Sequence, residues 1–227
     1  MKHPCGYSLF LVAIAATSSF AHSAPSSFVP TGVSSLSCDN VDTPAKEAKL
    51  IAQMKGIVQR VSKHELRLHM DDTSVVLKDK PPYDEAGGDV HTYCGTAVGF
   101  ALVSGATSES SSGTLYELSS GKTQPGGFAV AFSPDRRLYL ARSQDDGMDG
   151  ELWDIYSIDG KQVWKGESIL IGADDQVAID LDAPHWISPT QLEASAECDH
   201  DITGKATLTL QGDHGVWQFP RGCKKPK

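Results

Sequence analysis

Bases and aromatic residues are both scarce in this 227-residue chain: 20 Lys and Arg stand against 29 Asp and Glu, and only 7% of positions are aromatic. The resulting formal charge of −9 lacks the electrostatic footprint of a nucleic-acid binder. No C-x-x-C spacing occurs among the five cysteines, so a thiolate zinc site has no paired ligands to start from. Also missing are the G-x-S-x-G elbow, the H-E-x-x-H helix and the P-loop, which removes the commonest hydrolase and nucleotide chemistries. Ser119 to Lys122 has S-x-x-K spacing, but it lies in a turn between strands, where the Lys is not one helical turn from the Ser.

What is present begins with an address. Lys2 and His3 precede the apolar run Ser8 to Ala16, too short to span a bilayer, and cleavage is expected after Ala21 or Ala24. Residues 1–24 therefore read as a secretory signal peptide, and no later run is long and apolar enough for a transmembrane segment. Cys5 lies ahead of the run, where a lipid-accepting cysteine does not belong. The expected location is periplasmic or secreted. Residues 1–24 carry Lys2 and no other formal charge, so their loss leaves 203 residues at −10. Four cysteines remain, Cys38, Cys94, Cys198 and Cys223, an even number in an oxidising compartment. Three connectivities are open; nearest-neighbour pairing, Cys38 with Cys94 and Cys198 with Cys223, is favoured because Cys198 and Cys223 flank one strand pair.

Residues 25–37 are rich in Pro and Ser and read as a flexible leader; residues 38–227 read as one β domain. The spacing predicts a single short helix near residues 44–55, capped by Asp42 or Thr43, with Pro44 in its first turn and Gly56 at its end. Ala48, Ile51 and Ala52 are expected to form its buried face. Everything after Gly56 reads as strand and turn. In ELRLHM, Leu66, Leu68 and Met70 alternate inward, and VVLKD returns after a turn, which makes a hairpin. Ala97 to Val103 (AVGFALV) is expected as one strand, and QVAIDL, QLEASAEC, KATLTL and GVWQF as others. The fold class is all-β: a single antiparallel β domain, built either of propeller-like hairpins or as a sandwich, with one N-terminal helix. Trp153, Trp164, Trp186 and Trp217 sit among strand residues and are expected to pack.

One stretch carries a family resemblance. FSPDRRLYLARS, from Phe132, followed by IYSIDGK, ending at Lys161, resembles the repeat of TolB and WD-like β-propeller proteins. Ser133, Pro134 and Asp135 would make a type I turn, and Asp159 with Gly160 a hairpin turn; Arg136 stands where the family's turn glycine falls. Partial copies run from Gly99 to Lys122 and from Pro184 to Cys198, fewer than a closed propeller requires.

Three segments carry candidate chemistry. Asp145 to Glu151 (DDGMDGE) resembles the first half of an EF-hand loop, so Asp145, Asp149 and Glu151 are candidate calcium ligands; Tyr156 at the twelfth position excludes a complete EF-hand. His185, His200 and His214 lie near the C-terminus, His200 between Asp199 and Asp201, without a second ligand at a defined spacing. Ser112, Gly113 and Tyr116 resemble the S-G-x-x-Y loop by which periplasmic inhibitors of c-type lysozyme enter the enzyme's cleft, and the Ser- and Gly-rich stretch Ser104 to Gly113 reads as a mobile loop that displays binding residues. The expected function is a non-catalytic exported binding protein, an inhibitor or immunity protein against a basic, lysozyme-like cell-wall hydrolase, needing no cofactor. The alternatives are an envelope scaffolding module with propeller-like repeats and a calcium-dependent enzyme. An acidic chain favours a basic protein partner.

Overall fold

The computed structural model describes residues 34–71, 73–81, 89–107, 110–145, 149–171, 177–198 and 202–223. The expected signal peptide and most of the leader lie outside these residues, as does His200. The chain runs through β1 (Ser35–Ser37), α1 (Pro44–Gln53), β2 (Val58–Ser62), β3 (Glu65–His69) and β4 (Ser74–Lys78). It continues with β5 (Val90–Ala97), β6 (Phe100–Thr107), β7 (Ser110–Glu117), β8 (Thr123–Pro125), β9 (Ala129–Phe132), β10 (Leu138–Asp145), β11 (Leu152–Ser157) and β12 (Gln162–Glu167). The last five are β13 (Ile169–Ile171), β14 (Val177–Ser188), β15 (Gln191–Cys198), β16 (Ile202–Gln211) and β17 (His214–Gln218). The all-β reading with one helix holds. No helix among the described residues is long and apolar enough to cross a membrane.

A seven-stranded sheet, ordered β12-β11-β10-β7-β6-β5 with β8 beside β7, forms the centre. The meander β2-β3-β4 and α1 cover one region of it, and the sheet β13-β14-β15-β16-β17 another. Successive residues of β5, β6 and β7 feed different cores. Cys94, Phe100, Leu102 and Leu115 join a core with β1, β9 and β10, whereas Tyr93, Ala101, Val103 and Tyr116 join the core under α1 and the meander. The expected single strand over Ala97 to Val103 is thereby corrected. Val98 (φ 53°) and Gly99 (φ 83°) make a tight turn between β5 and β6. Both faces of these strands are buried, so the apolar run continued through the turn and concealed it.

The helix lies within its expected bounds, and Thr43 Oγ1 accepts from Lys46 N at 3.4 Å at its N-terminus. Its buried face differs from the expected one. Ala48 and Ala52 are exposed, and Glu47 is buried, where its carboxylate takes both Nε and Nη2 of Arg60 and the Tyr93 N–H (2.8 Å). A buried carboxylate is tolerated because each oxygen has a donor.

The stretch resembling a propeller repeat forms β9 to β12. Arg136 adopts φ 59°, a left-handed conformation, while Ser133 Oγ bonds Asp135 (2.8 Å) and receives Leu138 N (3.0 Å). Gly160 (φ 89°) closes the β11–β12 turn with its N–H on Ser157 O at 2.8 Å. The four tryptophans pack as expected. Trp153 is fully buried, and Trp217 lies 6.2 Å from Trp153, 6.3 Å from Trp164 and 6.0 Å from Phe219. Trp186 Nε1 bonds Ala131 O at 2.8 Å, which ties β14 to β9.

Both disulfides form in the favoured pairing, Cys38–Cys94 across 56 residues and Cys198–Cys223 across 25. In the chain-entropy account these closures contribute about 4 and about 3 kcal/mol. Cys198→Ala with Cys223→Ala is expected to lower the unfolding free energy by about 3 kcal/mol in urea titrations, and the Cys38/Cys94 pair to cost more.

Candidate functional site

The serine-rich segment and the acidic segment, far apart in sequence, meet at one end of the central sheet. Gln144 pairs with Ser111, and Asp145 with Ser110, where β10 runs beside β7. Ser104 to Gly113 is therefore not the expected displayed loop. Residues 104–107 pair with 110–113 as the arms of a hairpin, flanked by β5 on one side and β10 on the other, and 108–109 lie outside the described residues. Ser112 is exposed, and its Oγ donates to Gly105 O across the hairpin at 3.2 Å.

Gly113 and Tyr116 are held by packing. A Cβ on Gly113 would stand 1.9 Å from the Gly127 carbonyl oxygen, and Gly127 (φ 61°) is itself pressed against the Arg142 backbone. Tyr116 is 8% exposed, and burial raises its phenol above the ordinary tyrosine range. Of the three residues, Ser112 alone presents its side chain to solvent.

The expected calcium loop is described at Asp149, Gly150 and Glu151 and by the backbone of Asp145; residues 146–148 lie outside the described residues. Asp149 is exposed. Both oxygens of Glu151 are occupied: Arg142 donates to each, through Nε (2.6 Å) and Nη2, and Trp153 Nε1 adds a bond at 2.8 Å. Glu151 thus anchors β10 to the start of β11. Among the described residues, no group of three or more His, Cys, Asp or Glu side chains is arranged to hold a metal ion. His185 and His214 pair with Glu193 (3.6 Å) and Asp213 (3.2 Å).

Beside the hairpin end lies a cleft of about 790 Å³ whose lining includes Gln144, Glu151, Asp180, Asp182, Glu197 and Lys205. Asp180 on β14 stands in register with Glu197 on β15, and Asp182 is two residues along on the same face. Like charges opposed across a strand pair repel. Lys205, the base on this wall, is directed to Glu193 at 3.4 Å, and among the described residues no ion pair reaches Asp180, Asp182 or Glu197. Partial burial holds the Asp180 carboxyl above the usual carboxylate range, and the charges of Asp182, Glu197 and Glu151 push it further. The arrangement concentrates negative charge on a concave surface suited to ammonium or guanidinium groups. In AIDLDA the two acids at i and i+2 are the sequence signal for this wall.

Compared with family models, curated proteins and solved structures, the chain matches none.

Two outcomes follow. Gly113→Ala is expected to cost at least about 2 kcal/mol in denaturant unfolding, because a backbone carbonyl must move, whereas Ser112→Ala at the adjacent exposed position changes stability little. A carboxyl whose folded pKa exceeds its unfolded one binds protons more tightly when folded, so stability falls as pH rises through that interval. Asp180→Asn is expected to raise the thermal midpoint at pH 7, with the gain disappearing as pH is lowered below about 4.

Proposed function

We propose that this chain is an exported, non-catalytic binding protein that seats a basic protein in the carboxylate cleft at the end of the β6–β7 hairpin. The partner class is a cell-wall hydrolase of lysozyme type, and the consequence of binding is inhibition or immunity. The observation that carries the reading is the set of acids Asp180, Asp182 and Glu197 on one concave face, none of them in an ion pair among the described residues. Such a set works against folding, and a feature held at a cost in stability is what a binding site looks like. The net charge of the chain draws a basic partner in from a distance, and the cleft selects where it lands. Ser112, exposed one residue beyond the Ser111–Gln144 pair, is the hairpin's contact residue in this reading; Gly113 and Tyr116 fix the strand that carries it. Two disulfides suit a chain that works in an oxidising compartment.

The test is inhibition of a panel of basic muramidases by the disulfide-bonded protein, with binding followed against salt. Submicromolar inhibition that weakens as salt rises is expected, with a loss of at least about tenfold in Asp180→Asn/Asp182→Asn/Glu197→Gln. Absence of any complex, or a complex indifferent to these three acids, overturns the proposal.

A further inference from the structure

The last residues of the expected leader form β1, a strand paired on one side only, with β9. Ser34 O accepts from Phe132 N at 2.7 Å, and Cys38 N donates to Phe128 O at 2.8 Å. An antiparallel ladder alternates, so residues 34, 36 and 38 turn their backbone groups to β9, whereas those of Ser35 and Ser37 point the other way. Among the described residues, no hydrogen bond uses the N–H or C=O of either serine. An open strand edge of this kind is a template for one more strand.

The edge borders a groove of about 490 Å³ that shares no lining residue with the acidic cleft. Ser35, Leu36 and Ser37 line the groove and no residue of β9 does, so it lies on the unpaired side of β1. Residues 93–96 of β5 line it too, and α1 forms the far wall with Leu50 and Met54. Leu36 packs down onto β5: a Cβ on Gly95 would stand 3.0 Å from Leu36 Cδ2. Side chains directly opposite one another on paired strands share a face. A strand laid beside β1 therefore sends the side chain opposite Leu36 into the hollow between β5 and α1. Among the described residues the lining holds no Asp or Glu, and Lys49 and Gln53 place donors on the α1 wall, suited to the carbonyls along a strand's outer edge.

We infer that the groove seats the chain's own leader, with residues 27–30 added antiparallel to β1 as a third strand beside β1 and β9. Residues 31–33 then make the connection, a three-residue hairpin loop containing Gly32. In this register Val29 stands opposite Ser35 and Ser27 opposite Ser37, so both open residues of β1 gain a partner with an N–H and a C=O. Phe28 stands opposite Leu36 and enters the hollow. Pro30, which has no N–H to offer, falls where the backbone faces away from β1, as proline in an edge strand requires. A slip of one residue in either direction turns Phe28 out of the groove. Residues 25–33 carry no charged side chain, so the leader enters without needing a counterion. Its short tether to β1 keeps its effective concentration above that of any competing strand.

The experiment follows isotope-labelled, disulfide-bonded protein lacking residues 1–24 by NMR, reading nuclear Overhauser contacts of the Phe28 ring and amide hydrogen exchange at Ser35 and Ser37. Contacts from Phe28 to Leu36 and Met54 are expected, with both serine amides protected. Phe28→Ser and Val29→Pro should each speed exchange at Ser35 and Ser37 at least about tenfold, while Leu36, whose amide is turned to β9, changes little and reports that the fold is intact. In an equal mixture of labelled and unlabelled protein the Phe28 contacts should remain within one molecule. Absence of these contacts, unprotected serine amides in the unsubstituted protein, exchange indifferent to both substitutions, or contacts found only between molecules, the mark of a strand supplied by a second copy, overturns the inference.

Discussion

Burial of β5, β6 and β7 on both faces is the constraint from which the rest of the architecture follows. A strand covered on one side can spend its other side on water, but here neighbouring residues such as Leu115 and Tyr116 enter separate cores. The meander, α1 and the long β10 must therefore all be in place before these strands are stable. Where the covering chain crosses them most closely, side chains give way to backbone. Gly113, Gly126 and Gly127 meet there, and a Cβ on any of the three would stand within 2.7 Å of another group. The parallel contact of Gly127 with Arg142 belongs to the same crossing, and Arg142 is in turn held by Glu151 and lies 5.2 Å from the centre of the Phe128 ring.

The acids divide into two populations, and the division separates structure from function. Glu47, Asp79 and Glu151 are sheltered and have donors assembled around them from distant parts of the chain. Buried polar atoms elsewhere follow the same rule; Gln124 Oε1 is the exception among the described residues. Asp180, Asp182 and Glu197 stand together on one wall and none of them is in an ion pair among the described residues; Lys205, on the same wall, is directed to Glu193. A fold that satisfies its interior carboxylates so fully leaves this group as the conspicuous departure.

Much of the fold was legible because one-sided strands advertise themselves. Leu66, Leu68 and Met70 alternate with polar residues and are buried as expected, and β15 was readable end to end for the same reason. Even cysteine number and proximity were enough for the disulfides. Two-sided burial erased that signal at Ala97 to Val103, where nothing polar marks the turn. The Ser and Gly content of residues 104–113 read as a loop, but flanking strands β5 and β10 supply hydrogen-bond partners that composition does not reveal. Glu47 was invisible as a core residue because its partner Arg60 lies 13 positions away on another element. Of the site, the acidic character of the 145–151 segment and the exposure of Ser112 were readable. The cleft itself was not, since it requires β14 and β15 to be set beside the end of β10.

Cys38 is bonded to Cys94 in β5, and Cys223 to Cys198 at the end of β15. The bonds tie the segment before α1 and the segment after β17 to the sheets, so neither can peel away alone. Exopeptidases working inward from the two termini would stall at these staples, and a protease would have to cut an internal connection to gain a foothold. That turns two covalent links into a determinant of how long the folded chain persists against proteolysis.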